Sequence, residues 1–390
     1  MSVINFIIEN ILTQASITIA LIAMLGLLLQ KKSAGQVISG TLKTLLGFQV
    51  LSAGSSIIVG SLTYFGKIFT EEFHMQGIIP SIESINGQAI LWMATMTTVF
   101  GYFAGLRGIV LILVGGFIGA CFAIAMPAVA QPIIRKITGS NDIALGHFCT
   151  IGYLFEAGVA KLFGEKGENK KSIEDIKLPT HFEFLQDTYL SVMVVMVPLY
   201  IITVLFAGEP FASELSGDQN YIMFAFLQAI QFVVGVYVLL AGVRLLLGEI
   251  VPAFRGIAMK LVPDAIPALD CPVFFPYSPN AVILGFITTT IGTIIAMFTL
   301  PMFGLAMILS GMLTNFFAGG TAGIFGNAVG GRRGAIIGGI AHGFFITLLP
   351  ALLVTIFNSM GFINATATDV DTVAAALLYA WILSPVLKAF

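Results

Sequence analysis

The sequence predicts an all-α polytopic membrane protein, and three observations predict it. Hydrophobic residues make up 57% of the 390 positions and charged residues only 10%, where ordinary globular chains carry roughly 25% charged residues. The mean hydropathy is +0.99, so there is too little charge to cover a water-facing surface. Apolar runs long enough to cross about 30 Å of hydrocarbon recur along the chain. The 42 glycines favour a packed bundle over isolated anchors, because small residues let helices approach closely in lipid. With 18 Lys and Arg against 20 Asp and Glu, the chain offers no basic field for nucleic acid and no acidic tail for a basic partner.

In chain order the expected spans are Ile11–Leu29, Val37–Leu62, Ala89–Leu106, Gly108–Ala130, Leu190–Ala207, Tyr221–Leu247, Ala281–Leu300, Met302–Ala318, Gly334–Phe357 and Val373–Val386. Gly and Pro interruptions leave a count of about ten or eleven transmembrane helices. The first run is read as a span and not a signal peptide: Lys31 and Lys32 follow it, no basic region precedes it, and no small-residue cleavage site stands out. Between the spans lie Tyr64–Gly87, Asp142–Gly164, Ile250–Asn280 and Gly319–Arg333. These are too polar to span and too apolar for free loops, and read as interfacial helices and re-entrant hairpins.

Basic residues mark cytoplasmic loops at Lys31 and Lys32, Arg135 and Lys136, the run Lys166, Lys170, Lys171 and Lys177, and Arg332 and Arg333. Gly208–Asn220 and Asn358–Thr372 carry acids and no Lys or Arg, which places the N terminus outside and the C terminus inside. The charged loop Glu165–Asp187 divides the chain into 1–180 and 181–390, expected to be two inverted structural repeats. Ile79-Pro-Ser-Ile-Glu-Ser84 echoes Ile266-Pro-Ala-Leu-Asp-Cys271. A repeated broken element with one acid near mid-depth is a feature of transporters built from inverted repeats.

Ionisable groups inside membrane segments normally face a cavity or a partner. Here they are Lys43, Glu83, His147, Glu156, Arg244, Glu249 and Asp270. Four prolines between Ile266 and Asn280 forbid a regular helix and free backbone groups for a polar ligand; the plainer reading is a surface loop, against which stand Phe274 and Phe275. Asn280 either holds a hydroxyl-rich solute or caps the span that follows. His147 is either a structural histidine or a ligand. Arg244 and Glu249 read by default as an ion pair or as interfacial anchors. Cys121, Cys149 and Cys271 form neither a disulfide framework nor a zinc spacing. Gly319–Gly323 lacks the Lys and preceding strand of a phosphate-binding loop. No catalytic triad order, metal cluster or paired-carboxylate spacing points to a hydrolase.

Four strings carry a resemblance: Gly242-Val-Arg-Leu-Leu-Leu-Gly-Glu249-Ile-Val-Pro-Ala-Phe254-Arg-Gly256; Ala268-Leu-Asp-Cys271 with Pro279-Asn-Ala-Val282; Phe316-Phe-Ala-Gly-Gly-Thr-Ala-Gly-Ile-Phe325 with Gly330-Gly-Arg332; and Ser172-Ile-Glu-Asp-Ile-Lys-Leu-Pro179. In this order they resemble the ascorbate-specific enzyme IIC permeases of the bacterial phosphotransferase system. The resemblance covers nearly the whole chain and is strongest from Gly146 to Arg333. It implies a homodimer in the bacterial inner membrane. Each protomer would have a V-shaped scaffold domain and a mobile core domain, both drawn from the two halves, the core carrying substrate elevator-fashion. The family's Gly-His turn maps onto Gly146 and His147, its Asp-Cys hairpin onto Asp270 and Cys271, and its first-half acid onto Glu83. Phe148 stands where the family has glutamine, and Gly101–Ile109 is shorter than the family pattern, so a related sugar acid or polyol fits the scaffold as well as ascorbate.

The site expected from these readings is Glu83, His147, Phe148, Asp270, Cys271 and Asn280, with no metal and no cofactor. The expected function is the permease subunit of a phosphotransferase complex. Separate cytoplasmic IIB and IIA proteins would phosphorylate the imported solute, since this chain has no phosphoryl acceptor of its own. The alternative is an ion-coupled secondary transporter with Glu83 and Asp270 as coupling sites. An intramembrane enzyme lacks a catalytic constellation.

Overall fold

The structure, a computed structural model, describes residues 14–72, 77–78, 95, 99, 101–167, 170–176, 187–309, 314–363, 365–367 and 369–383. The described residues form an all-α membrane protein. Five helices among them are long and apolar enough to cross a membrane, or six if Val192–Ala207 and Glu209–Ser216, bent by 119°, count as one broken span.

One group of helices comprises α1 (Ala15–Leu29), α2 (Ala34–Glu72), α5 (Thr188–Ala207), α6 (Glu209–Ser216) and α7 (Tyr221–Lys260). The α2 and α7 helices run antiparallel along their length. A Cβ on Gly47 would lie 2.7 Å from Leu246 N, one on Gly54 2.2 Å from Leu239 N, and one on Gly242 2.2 Å from Leu51 N. In lipid the hydrophobic effect does not join helices, so this backbone approach supplies the packing that does. Lys43 and Glu249 pair across the same seam at 3.3 Å, and Ser61 joins Tyr200 Oη and Gln228 O at 2.7 Å each. Glu249 therefore takes its ion pair from α2 and not from Arg244, and α7 continues 13 residues past the expected end at Leu247, through Pro252 to Lys260.

A second group contains α3 (Gly108–Thr138), α4 (Thr150–Phe163), α8 (Pro279–Thr299), α9 (Gly320–Ser359) and α10 (Val370–Leu378). The α9 helix is two arms. Gly331 breaks it at φ 64° and ψ −158°, a left-handed conformation that a side chain tolerates poorly. A Cβ there would also fall 2.6 Å from Glu165 Oε2. The arms embrace α8: Gly285 faces Gly319 and Gly323, while Gly292 faces Ile340 and Phe344. Outside this packing, α3 shows Ile109, Leu113, Phe117 and Ile124 as exposed apolar faces, the surface expected of a lipid-facing helix.

Several expected boundaries change. Met302–Ala318 is not a span: a short 3₁₀ turn ends at Phe303, Gly304 is left-handed, and Ile308 forms a parallel bridge to Ile78. Gly319–Arg333 is helical up to the Gly331 break, because its small residues fit against α8 and α4. Most of Ala89–Leu106 and the end of Val373–Val386 lie outside the described residues. The described part of the charged loop, 165–167 and 170–176, is a strap. Glu165 N–H donates to Gly330 O at 2.8 Å, Arg332 N–H to Lys171 O at 3.0 Å, and Ile173 N–H to Asn327 Oδ1 at 3.0 Å. Lys170 donates to Ala328 O, and burial, followed by the nearby Lys136, holds it below the ordinary lysine range.

Gly242→Leu is expected to abolish a monodisperse product, because its side chain would collide with the α2 backbone. Gly60→Ala, with nothing within 4 Å of its Cβ, should leave yield and thermal stability unchanged. Size-exclusion profiles and a melting assay on the two variants check this.

Candidate functional site

Two very short strands build the site. Ala144–Leu145 (β1) pairs in parallel with Ala268–Leu269 (β2), with Ala144 N–H donating to Pro267 O at 2.9 Å and Gly146 N–H to Leu269 O at 2.8 Å. Broken backbone inside a membrane protein must find its partners within the protein, and here each break satisfies the other. The pairing sets Gly146 and His147 beside Asp270 and Cys271. Gly146 has to be small, since a Cβ would meet Ala268 Cβ at 3.0 Å.

After each strand the chain turns into a helix. Asp270 occupies the N-cap of the 3₁₀ turn Cys271–Tyr277, its Oδ1 accepting from Cys271 N–H at 2.7 Å. His147 precedes α4, and its Nε2 lies 3.8 Å from Asp270 Oδ1, with side-chain exposures of 9% and 26%. That separation exceeds a hydrogen bond, so both atoms keep capacity for a solute hydroxyl, and the partial exposure leaves them reachable. The Nδ1 of His147 is committed to Tyr153 Oη at 2.6 Å, and the two rings stack with centroids 5.8 Å apart. Tyr153 therefore fixes which edge of the imidazole faces Asp270.

The donor atoms of His147, Asp270 and Cys271 all lie within 4.8 Å of one another. Nitrogen, carboxylate oxygen and sulfur in that array would suit a thiophilic divalent ion. They equally suit a hydroxyl-rich solute, with the carboxylate accepting and the imidazole donating or accepting.

Remote carboxylates hold the helix starts. Asp371 Oδ1 accepts from Ile151 N–H at 2.8 Å and Oδ2 from Thr150 N–H at 3.2 Å, while Asp371 N–H donates to Phe148 O at 2.8 Å. Glu174, in the strap, accepts from Ser278 Oγ at 2.9 Å, Ala281 N–H at 2.9 Å and Asn280 N–H at 3.3 Å. Carboxylates suit these positions because the first N–H groups of a helix lack partners and carry partial positive charge.

Of the expected site residues, the fold brings together His147, Asp270 and Cys271. Phe148 follows directly, but its ring packs against the hydrophobic core and its carbonyl anchors α10. Asn280 lies in the first turn of α8. The cap weighed for it belongs instead to the Glu174 carboxylate, while Ser278 occupies the N-cap position and its hydroxyl donates to that same carboxylate. Glu83 lies outside the described residues. Sequence reading missed Tyr153, Glu174 and Asp371. A signal existed for the strand pair: Ala144-Leu-Gly-His147 and Ala268-Leu-Asp-Cys271 share their first two residues. No local pattern marks Asp371, 221 residues from the amide it caps.

The family model described as "PTS system sugar-specific permease component" matches residues 10–91 and 85–371. A curated relative from Mycoplasma pneumoniae (strain ATCC 29342 / M129 / Subtype 1), named "Ascorbate-specific PTS system EIIC component", is 23% identical over 445 aligned positions. That alignment takes in 90% of this chain, which spans 66% of the relative's length.

Glu174→Ala is expected to lower stability by about 1–2 kcal/mol through loss of the helix cap. Glu174→Gln, which keeps one acceptor, should lose less. Thermal melts of the two purified variants check the order.

Proposed function

The chain belongs to the sugar-specific permease components of the phosphotransferase system and is a multi-pass protein of the bacterial inner membrane; from that premise we propose that it imports ascorbate or a closely related sugar acid or polyol for phosphorylation by a separate IIB protein. The observation that carries this reading is the meeting of His147, Asp270 and Cys271 at paired strand ends. The three present hydrogen-bonding capacity, within a protein built of lipid-compatible helices, to a solute rich in hydroxyls. Glu83 and Asn280 complete the proposed site, with Phe148 lining the turn. The name of the Mycoplasma relative supports the substrate class.

In this proposal the group α1, α2, α5, α6 and α7 is the scaffold, and the group containing α4, α8, α9 and α10 is the core that carries substrate elevator-fashion. Each group draws helices from both halves, in keeping with two inverted repeats of 1–180 and 181–390 and a full complement of ten or eleven spans, some short or broken. Scaffold spans form the homodimer that gives the core a fixed frame. The IIB protein takes its phosphoryl group from IIA and acts on the solute once the core opens inward; the permease holds and moves the solute without a phosphoryl acceptor of its own. An ion-coupled secondary transporter is the competing class.

Vesicles containing the chain should accumulate phosphorylated solute only when phosphoenolpyruvate and the soluble phosphotransferase proteins are inside. Uptake of unmodified solute driven by an ion gradient alone would favour the secondary transporter. At the site, Asp270→Asn keeps the shape while removing charge and an acceptor. Charge-assisted hydrogen bonds contribute about 1.5–3 kcal/mol each, so ascorbate binding should weaken by about 10-fold or more, at about 1.4 kcal/mol per factor of ten. Equilibrium binding on monodisperse protein checks this; unchanged affinity would remove Asp270 from the site.

A further inference from the structure

The paired turns bring an imidazole, a carboxylate and a thiol together from two segments far apart in the chain. No local spacing announces such a set, because His147 follows β1 while Asp270 and Cys271 follow β2. The strand pair fixes one turn against the other, Gly146 N–H donating to Leu269 O at 2.8 Å. Backbone hydrogen bonds therefore position the three donors before any ligand arrives. Asp270 Oδ1 also accepts from Cys271 N–H at 2.7 Å, which holds the carboxylate against the residue that supplies the thiol.

The far side of the imidazole is equally well placed. A neutral histidine that binds an ion through Nε2 carries its hydrogen on Nδ1, and an acceptor for that N–H is the usual companion of a metal-binding histidine. Tyr153 Oη, 2.6 Å from Nδ1, is in position to accept it. The spacing then fits one ion. The nitrogen, carboxylate and sulfur donors lie within 4.8 Å of one another, and Nε2 is 3.8 Å from Asp270 Oδ1. Around a tetrahedral zinc ion, nitrogen and oxygen ligands stand roughly 3.3 Å apart and nitrogen and sulfur roughly 3.6 Å. Closing the His147 to Asp270 separation to that value takes about half an ångström. Thiolate with imidazole selects zinc-class ions over magnesium and calcium, which take oxygen ligands.

We propose that His147 Nε2, a carboxylate oxygen of Asp270 and Cys271 Sγ form a binding site for a thiophilic divalent cation of the zinc class. Three protein donors leave a fourth position for water, and the partial exposure of Asp270 gives the ion a way in. On binding, the Cys271 S–H bond breaks, its proton leaves to water, and the thiolate bonds the metal. The ion occupies the atoms assigned to the solute, so such cations would close the site to it. That consequence rests on the permease reading, whereas the ion site stands on the cluster itself.

Cobalt(II), a spectroscopic stand-in for zinc, tests the site on the full chain in lipid nanodiscs, free of any affinity tag and under a non-thiol reductant. The wild-type protein should bind one cobalt per chain with a near-ultraviolet thiolate-to-cobalt charge-transfer band, which stoichiometric zinc abolishes and excess magnesium does not. The band should be lost in Cys271→Ser and kept in Cys121→Ser, whose cysteine lies exposed on α3. His147→Gln and Asp270→Asn should each weaken cobalt binding by at least about 10-fold, a loss that removing even a ligand's hydrogen-bond partner can cause. Absence of the band from wild-type protein would overturn the proposal without recourse to any variant. So would a band that survives in folded Cys271→Ser, or unchanged affinity in folded His147→Gln and Asp270→Asn. None of these measurements contains solute, so failure here leaves the permease reading standing.

Discussion

Backbone groups at a helix break inside the bilayer have no water to turn to, and the rest of this structure depends on how that demand is met. The chain breaks after Leu145 and after Leu269, and the two breaks pair as parallel strands. Three carboxylates then take the exposed amides: Asp270 at its own 3₁₀ turn, Asp371 at α4 and Glu174 at α8. Two of these acids come from distant segments, so the same bonds that satisfy the backbone also stitch the strap to the start of α8 and α10 to the start of α4. Capping and site assembly are a single arrangement.

Glycine packing provides the second constraint. Between α2 and α7, and between α8 and the arms of α9, backbones approach so closely that even a methyl group would overlap. Lipid offers no hydrophobic reward for helix association, so fit of this kind carries the bundle. It also allows polar groups to be enclosed: the spaces left by Gly152, Gly326 and Gly338 hold His342 and Glu156. The glycines thus serve both cohesion and the placement of buried polar chemistry.

The site draws on both constraints. Asp270 and His147 are aimed by the strand pair, Tyr153 orients the imidazole, and Asp371 clamps the turn that carries it. The strap reaches this assembly from the basic loop through Glu174. Under the proposed function, that loop is the face that would meet the IIB protein, and its carboxylate already grips the first turn of α8, a short distance along the chain from Asp270.

The sequence by itself determined the membrane class, through hydropathy and scarce charge, and it singled out Gly146-His147 and Asp270-Cys271 as candidate turns, which the fold sets side by side. It placed most long helices, because twenty apolar residues in a row have few other fates. It misread Met302–Ala318, where apolar character hides a broken, bridged segment. Tertiary structure alone decided that His147 faces Asp270, that Glu174 rather than Asn280 caps α8, and that Asp371 anchors α4. The physical reason is that hydropathy and capping patterns are local, whereas each of these contacts joins segments far apart in the chain, chosen by shape and by the need to satisfy buried backbone groups.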